Sequence, residues 1–181
     1  SMQGYGCRSV LGFRLPSEWS KGFRPQSPKE TTITDAKTFL KQLRATLKQH
    51  GFQRLNANNY FHRAEFLLCL FTIQKSMYIG QYYFDVYYRL ADGDPKEKNY
   101  RALWFGRLES LFATEHETIR SIDFDDPALV RQFAPQFLAR LPAIADDLAA
   151  WTDTTAFLQR FDGDFSAEQQ AAIAAHTFRP E

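Results

Sequence analysis

The side chains with the most chemical potential cluster in one stretch of this chain: Gln74, Lys75, Tyr83, Asp85, Tyr87 and Arg89. Tyr83, Asp85, Tyr87 and Arg89 alternate along a strand-like run, so two phenols, a carboxylate and a guanidinium would share one sheet face. Asp85 and Arg89 stand about 13 Å apart along an extended strand, too far for a direct acid–base pair. Tyrosine with arginine is instead a common anchor of protein interfaces. These residues are therefore expected to bind, and the partner expected is a protein.

Other constellations are weaker. The histidines His50, His62, His116 and His176 form no i, i+4 pair, and Cys7 and Cys69 lack finger spacing, so no metal is expected. Asp162-Gly163-Asp164-Phe165-Ser166 opens like a calcium loop, but its glycine stands second instead of sixth and Ile173 replaces the closing glutamate. Asp123, Asp125 and Asp126 offer carboxylates to Mg²⁺, yet Asp126 before Pro127 is helix-start chemistry. A phosphate-binding P-loop, a dinucleotide turn and a nucleophile elbow are all missing, and no cofactor is expected. The alternative reading is an enzyme of unrecognised type in which Asp85, Glu109, His62 or Lys75 meet in a pocket beside the central hairpin.

That hairpin positions the candidate residues. Its limbs, residues 66–73 and 82–88, are β-branched or aromatic at most places and bounded by polar or glycine breaks. Tyr82, Phe84, Val86 and Tyr88 should face a core while the odd positions face away. Before it, Thr34 can cap a helix with Ala36, Leu40, Leu43 and Leu47 on one stripe and Lys37, Lys41, Arg44 and Lys48 on the other. Gly51 should end that helix in a Schellman stop, with Phe52 folding back onto Leu47. A short strand over residues 52–55, an asparagine turn and a returning strand from Tyr60 to Arg63 lead into the hairpin.

After the hairpin, the spacing of Trp104, Leu108, Leu111 and Phe112 favours a helix, with Trp104-Phe105-Gly106 leaving a strand open. Residues 119–124 read as a strand. A helix then starts at Asp126-Pro127, and Pro135 and Pro142 should kink or divide it. Asp153 can cap a short helix, and Ser166 with Gln169 opens a last one by a capping box. The fold class expected is α+β: an antiparallel sheet of about four to six strands packed with an N-terminal helix and a helical C-terminal part, residues 126–176.

Residues 32–181 read as a single domain. Residues 1–31, with Ser1-Met2 an expression scar, read as an arm that packs on the domain or joins a homodimer; otherwise the segment is dispensable. Aromatics make up 15% of the 181 residues, enough to line an interface as well as a core. A net charge of +1 argues against general nucleic-acid binding. Residues 1–124 are mildly basic, 18 Lys and Arg against 12 Asp and Glu, and the remainder is acidic, 4 against 9, a polarity able to steer a charged partner. The chain has no apolar run of membrane length and no secretion signal, so a cytoplasmic location without membrane contact is expected.

The run from Leu43 to Phe52, followed by Asn59-Tyr60-Phe61-His62-Arg63, by Ile73-Gln74-Lys75-Ser76 and then by an aromatic strand, resembles the family called Domain of Unknown Function 4304 (DUF4304) over residues 35–125. The resemblance implies an antiparallel sheet with packed helices, a small bacterial cytosolic protein and no established activity. Some members are similar in setting to toxin-immunity proteins, so it also implies a binding role, as in an immunity-like inhibitor.

Overall fold

The computed structural model describes residues 33–97, 102–112, 119–150, 154–161 and 163–177. Thr32–Glu181 belong to one compact unit. The expected arm and its role in a homodimer lie outside the described residues.

Helix α1, Ala36–Gln49, is amphipathic, burying Phe39, Leu40, Leu43 and Leu47. Its cap is Asp35 rather than the expected Thr34. The Asp35 carboxylate accepts from the Thr38 backbone N–H and hydroxyl, both at 2.8 Å, and these bonds hold it below the ordinary carboxylate range. The far end closes as expected. Gly51 takes φ +83°, its N–H donates to Lys48 O at 3.2 Å, and the Phe52 N–H donates to Leu47 O at 2.9 Å.

Among the described residues six strands follow in one antiparallel sheet: β1 Gln53–Arg54, β2 Asn59–Arg63, β3 Leu67–Lys75, β4 Gln81–Leu90, β5 Trp104–Arg107 and β6 Ile122–Asp123. Their order is β1-β2-β3-β4-β5, with β6 pairing beside β5 along the free side of β4. The asparagine turn before β2 is closed by Asn56 Oδ1, which accepts from the Asn58 and Asn59 N–H groups at 2.9 Å. Residues 104–112 divide into β5 and a single turn of helix, α2 Leu108–Leu111, instead of one helix. Gly106 explains the strand: a Cβ there would meet the Trp104 indole at 2.6 Å, so its bare backbone lets that ring fold over it. The strand expected over 119–124 shrinks to β6.

Helix α3, Pro127–Ala150, continues through Pro135 and Pro142 and is not divided. Each interior proline costs about 3 kcal/mol. Against that, Val130, Phe137, Leu141, Ile144 and Leu148 are buried on one stripe, at about 1.5–3 kcal/mol each. Packing therefore overrides the local break. Its start is as expected, with Asp126 Oδ1 accepting from the Ala128 N–H at 2.9 Å. Helix α4, Thr154–Arg160, and helix α5, Ala167–Thr177, are the last described elements. Asp153 and Asp162 lie outside the described residues. The capping box is present: the Ser166 N–H donates to Gln169 Oε1 at 2.9 Å and the Gln169 N–H to Ser166 Oγ at 3.2 Å.

The core fills one face of the sheet. Phe71, Ile73, Phe84, Val86 and Tyr88 join Phe39, Leu43, Phe137, Leu141, Phe157 and Ile173 from the helices in one cluster. Phe84 and Phe137 lie 4.7 Å apart by ring centroid, and Tyr88 and Phe157 4.8 Å. Much of the aromatic surplus is therefore core. Cys69 is fully buried here, and burial pushes its thiol up to about 12.

Candidate functional site

The opposite face carries most of the candidate residues, because side chains alternate along β3 and β4. The register aligns Asn59, Thr72, Asp85 and Arg107 across four strands, and beside them Phe61, Leu70, Tyr87 and Phe105. A polar row thus runs next to an apolar one. In the polar row Thr72 Oγ1 donates to Asn59 Oδ1 at 2.8 Å, and Arg107 Nη1 lies 2.9 Å from Asp85 Oδ1. Among the described residues Arg107 Nη1 has no hydrogen-bond partner despite that distance, so the contact is an ion pair without a directed bond.

The polar row extends into a network. The Arg107 guanidinium sits 4.3 Å above the Tyr83 ring, Tyr83 Oη donates to Gln81 Oε1 at 2.7 Å, and Gln81 Nε2 donates to Ser121 Oγ at 2.9 Å. The Ser121 N–H then donates to Glu109 Oε2 at 3.0 Å. Asp85 is only 8% exposed. Burial raises its carboxyl above the ordinary aspartate range, Arg107 offsets part of that rise, and nearby Glu109 adds to it. In the apolar row Phe105 is 69% exposed and stacks on Tyr87, with centroids 5.9 Å apart and planes at 16°.

Arg89 departs from the expected role. It is 3% exposed, and it donates to Asp94 O at 2.7 Å and Glu97 O at 2.6 Å, holding the loop after β4 back over the sheet. Burial lowers its pKa, an effect that Glu97 and Asp94 counter. Arg63 adds a bond from Nη2 to Gly93 O at 3.1 Å. The same loop brings Pro95, Lys96 and Glu97 beside Leu70 around a cavity of about 260 Å³. The guanidinium of the open face is Arg107 instead. Gln74 pairs with Tyr83 at the exposed end of this face, and Lys75, opposite Tyr82, belongs to the other face.

The alternative enzyme set is brought together only in part. Asp85 and Glu109 influence each other electrostatically, whereas His62 and Lys75 lie at positions of the helix-covered face. His62 packs on Phe52 at 5.6 Å with Nδ1 3.3 Å from Gly51 O, and His50 Nδ1 lies 2.5 Å from Asp146 Oδ1. His116 falls outside the described residues, as does the His176 side chain. Asp123 and Asp125 accept from backbone amides, and among the described residues no group of His, Cys, Asp or Glu could hold a metal ion.

Sequence reasoning missed Gln81, Phe105, Arg107 and the hairpin tip. Met77 and Tyr78 are each 88% exposed there. The tip is pinned at Gly80, whose N–H donates to Asp125 Oδ2 at 2.6 Å; a Cβ at that glycine would collide with the same carboxylate. The available signal was composition: Met-Tyr-Ile is an unusual connection where turns favour Gly, Asn and Asp. Phe105 and Arg107 could be found only once residues 104–107 were known to be a strand.

Compared with known proteins, the chain matches no family model, no curated protein and no solved structure. No helix among the described residues is long and apolar enough to cross a membrane.

Proposed function

We propose that this protein is a non-enzymatic binding module whose open sheet face, centred on Tyr87, Phe105 and Arg107, receives a protein partner. The observation that carries the reading is Phe105, largely exposed on Tyr87 beside an arginine that itself stacks on Tyr83. Aromatic and arginine side chains held rigidly in this way lose little entropy on binding and dominate interface energies. The resemblance to Domain of Unknown Function 4304 supports an immunity-like inhibitor as the form of this module, in a cytosolic bacterial setting.

The test is affinity capture from the source cells, followed by hydrogen exchange on the reconstituted complex. A stoichiometric partner that protects residues 83–87 and 104–107, and is lost with Phe105→Asp but kept with Lys37→Ala on α1, is the expected result. A partner that ignores Phe105→Asp would refute the assignment of the face. One observation favours an enzyme instead, the raised Asp85 carboxyl beside Glu109. An activity that Asp85→Asn abolishes, in a variant that still binds the partner, would establish that second reading.

A further inference from the structure

Far from Phe105, at the β1 edge of the sheet, a cleft of about 630 Å³ opens between the end of α1 and strands β1 and β2. Arg44 and Lys48 enter it from successive turns of α1, about 6 Å apart at their Cβ atoms. Arg54 enters from β1, while Ala45, Gly51, Gln53 and the packed edges of Phe52 and Tyr60 complete the described lining. No carboxylate is among these residues, and none of the three cations forms an ion pair with another described residue. Arg54 donates from Nε to Asn56 O at 3.0 Å. Arg44 Nε is buried without an acceptor among the described residues.

We propose that this cleft binds an organic phosphate monoester, its phosphate held by Arg44, Lys48 and Arg54 and its organic body lying over Ala45 and the small exposed edges of Phe52 and Tyr60. Two local effects bear on the sign of the charge. The C-terminus of α1 contributes about half a negative charge. Three full positive charges exceed it, and the Schellman bonds already occupy the Leu47 and Lys48 carbonyls. A bare phosphate would leave most of the cleft unfilled, since a volume of this size suits a ligand of roughly mononucleotide dimensions. The bidentate fork of a guanidinium fits phosphate oxygens, while Lys48 adds a point charge. The basic face of α1 is thereby divided: Arg44 and Lys48 belong to the cleft, and Lys37 and Lys41 to the exposed surface.

Calorimetric titration of the full chain with phenyl phosphate, phenol and inorganic phosphate tests this proposal. Phenyl phosphate should saturate with a Kd below about 1 mM, and phenol and inorganic phosphate should each bind at least about tenfold more weakly. Arg44→Gln and Lys48→Gln should each weaken phenyl phosphate by about tenfold, while Lys37→Gln should leave it unchanged. Lys48 is exposed, so Lys48→Gln keeps the test open if Arg44→Gln fails to fold. Lack of saturation, equal binding of phenol, or equal weakening by Lys37→Gln would overturn the site.

Discussion

The two faces of the sheet are made from the same strands and differ in what covers them. On one face, Phe71, Ile73, Phe84, Val86 and Tyr88 meet helices and are sealed. On the other, Leu68 and Leu70 are buried outside that cluster, Asp85 and Arg89 are buried with polar partners, and Phe105 remains exposed. The sealed face gains its energy from area, at about 25 cal/mol per Å² of apolar surface. The half-covered face is ordered by cross-strand pairs and by bonds to a loop, which contribute less and leave aromatic surface for a partner. A sheet buried asymmetrically can thus keep stability on one side and recognition on the other.

Mutations should separate the faces by size of effect. Phe84→Ala on the sealed face should cost about 3–5 kcal/mol, read by urea denaturation. If the cost is under about 1 kcal/mol, the contrast between the faces is lost. Arg89→Ala should cost about 2 kcal/mol and speed hydrogen exchange in residues 91–97, because two carbonyl partners lose their donor. Phe105→Ala should change stability by under about 1 kcal/mol while weakening the partner, the reverse of the Phe84 pattern.

The smallest effect is the pH dependence of Asp85. Its folded pKa lies above its unfolded one, so its contribution to stability is greatest below the ordinary aspartate value and is lost as pH rises through the raised value. Wild type should therefore lose stability relative to Asp85→Asn across that acidic window, with the difference level above it. A difference independent of pH would mean that Arg107 compensates the burial completely.

Local chemistry was legible at several places where partners lie close in sequence. The Schellman stop at Gly51, the Asx turn at Asn56, the cap at Asp126 and the capping box of Ser166 and Gln169 each join atoms a few residues apart. Alternation likewise separated Tyr83, Asp85 and Tyr87 from Phe84, Val86 and Tyr88. Where local and tertiary terms competed, the local reading failed. Pro135 and Pro142 break a helix by propensity, but the buried stripe of α3 outweighs them. Thr34 and Asp35 are both good caps by type, and it is the Asp35 carboxylate that accepts from the Thr38 N–H and hydroxyl.

The sequence by itself determined the α+β class, the hairpin, the Schellman end of α1, the starts of α3 and α5 and which side chains of β4 share a face, because all of these follow from spacing along one chain. Only the tertiary structure decided that Arg89 clamps a loop while Arg107 meets Asp85, that His62 and Lys75 lie away from Asp85, and that Arg44, Lys48 and Arg54 converge. The Asp85–Arg107 pair joins β4 to β5, and the three cations join α1 to β1, across turns and loops. Their geometry depends on strand register and helix docking, which the competition for burial resolves only when the whole chain is folded.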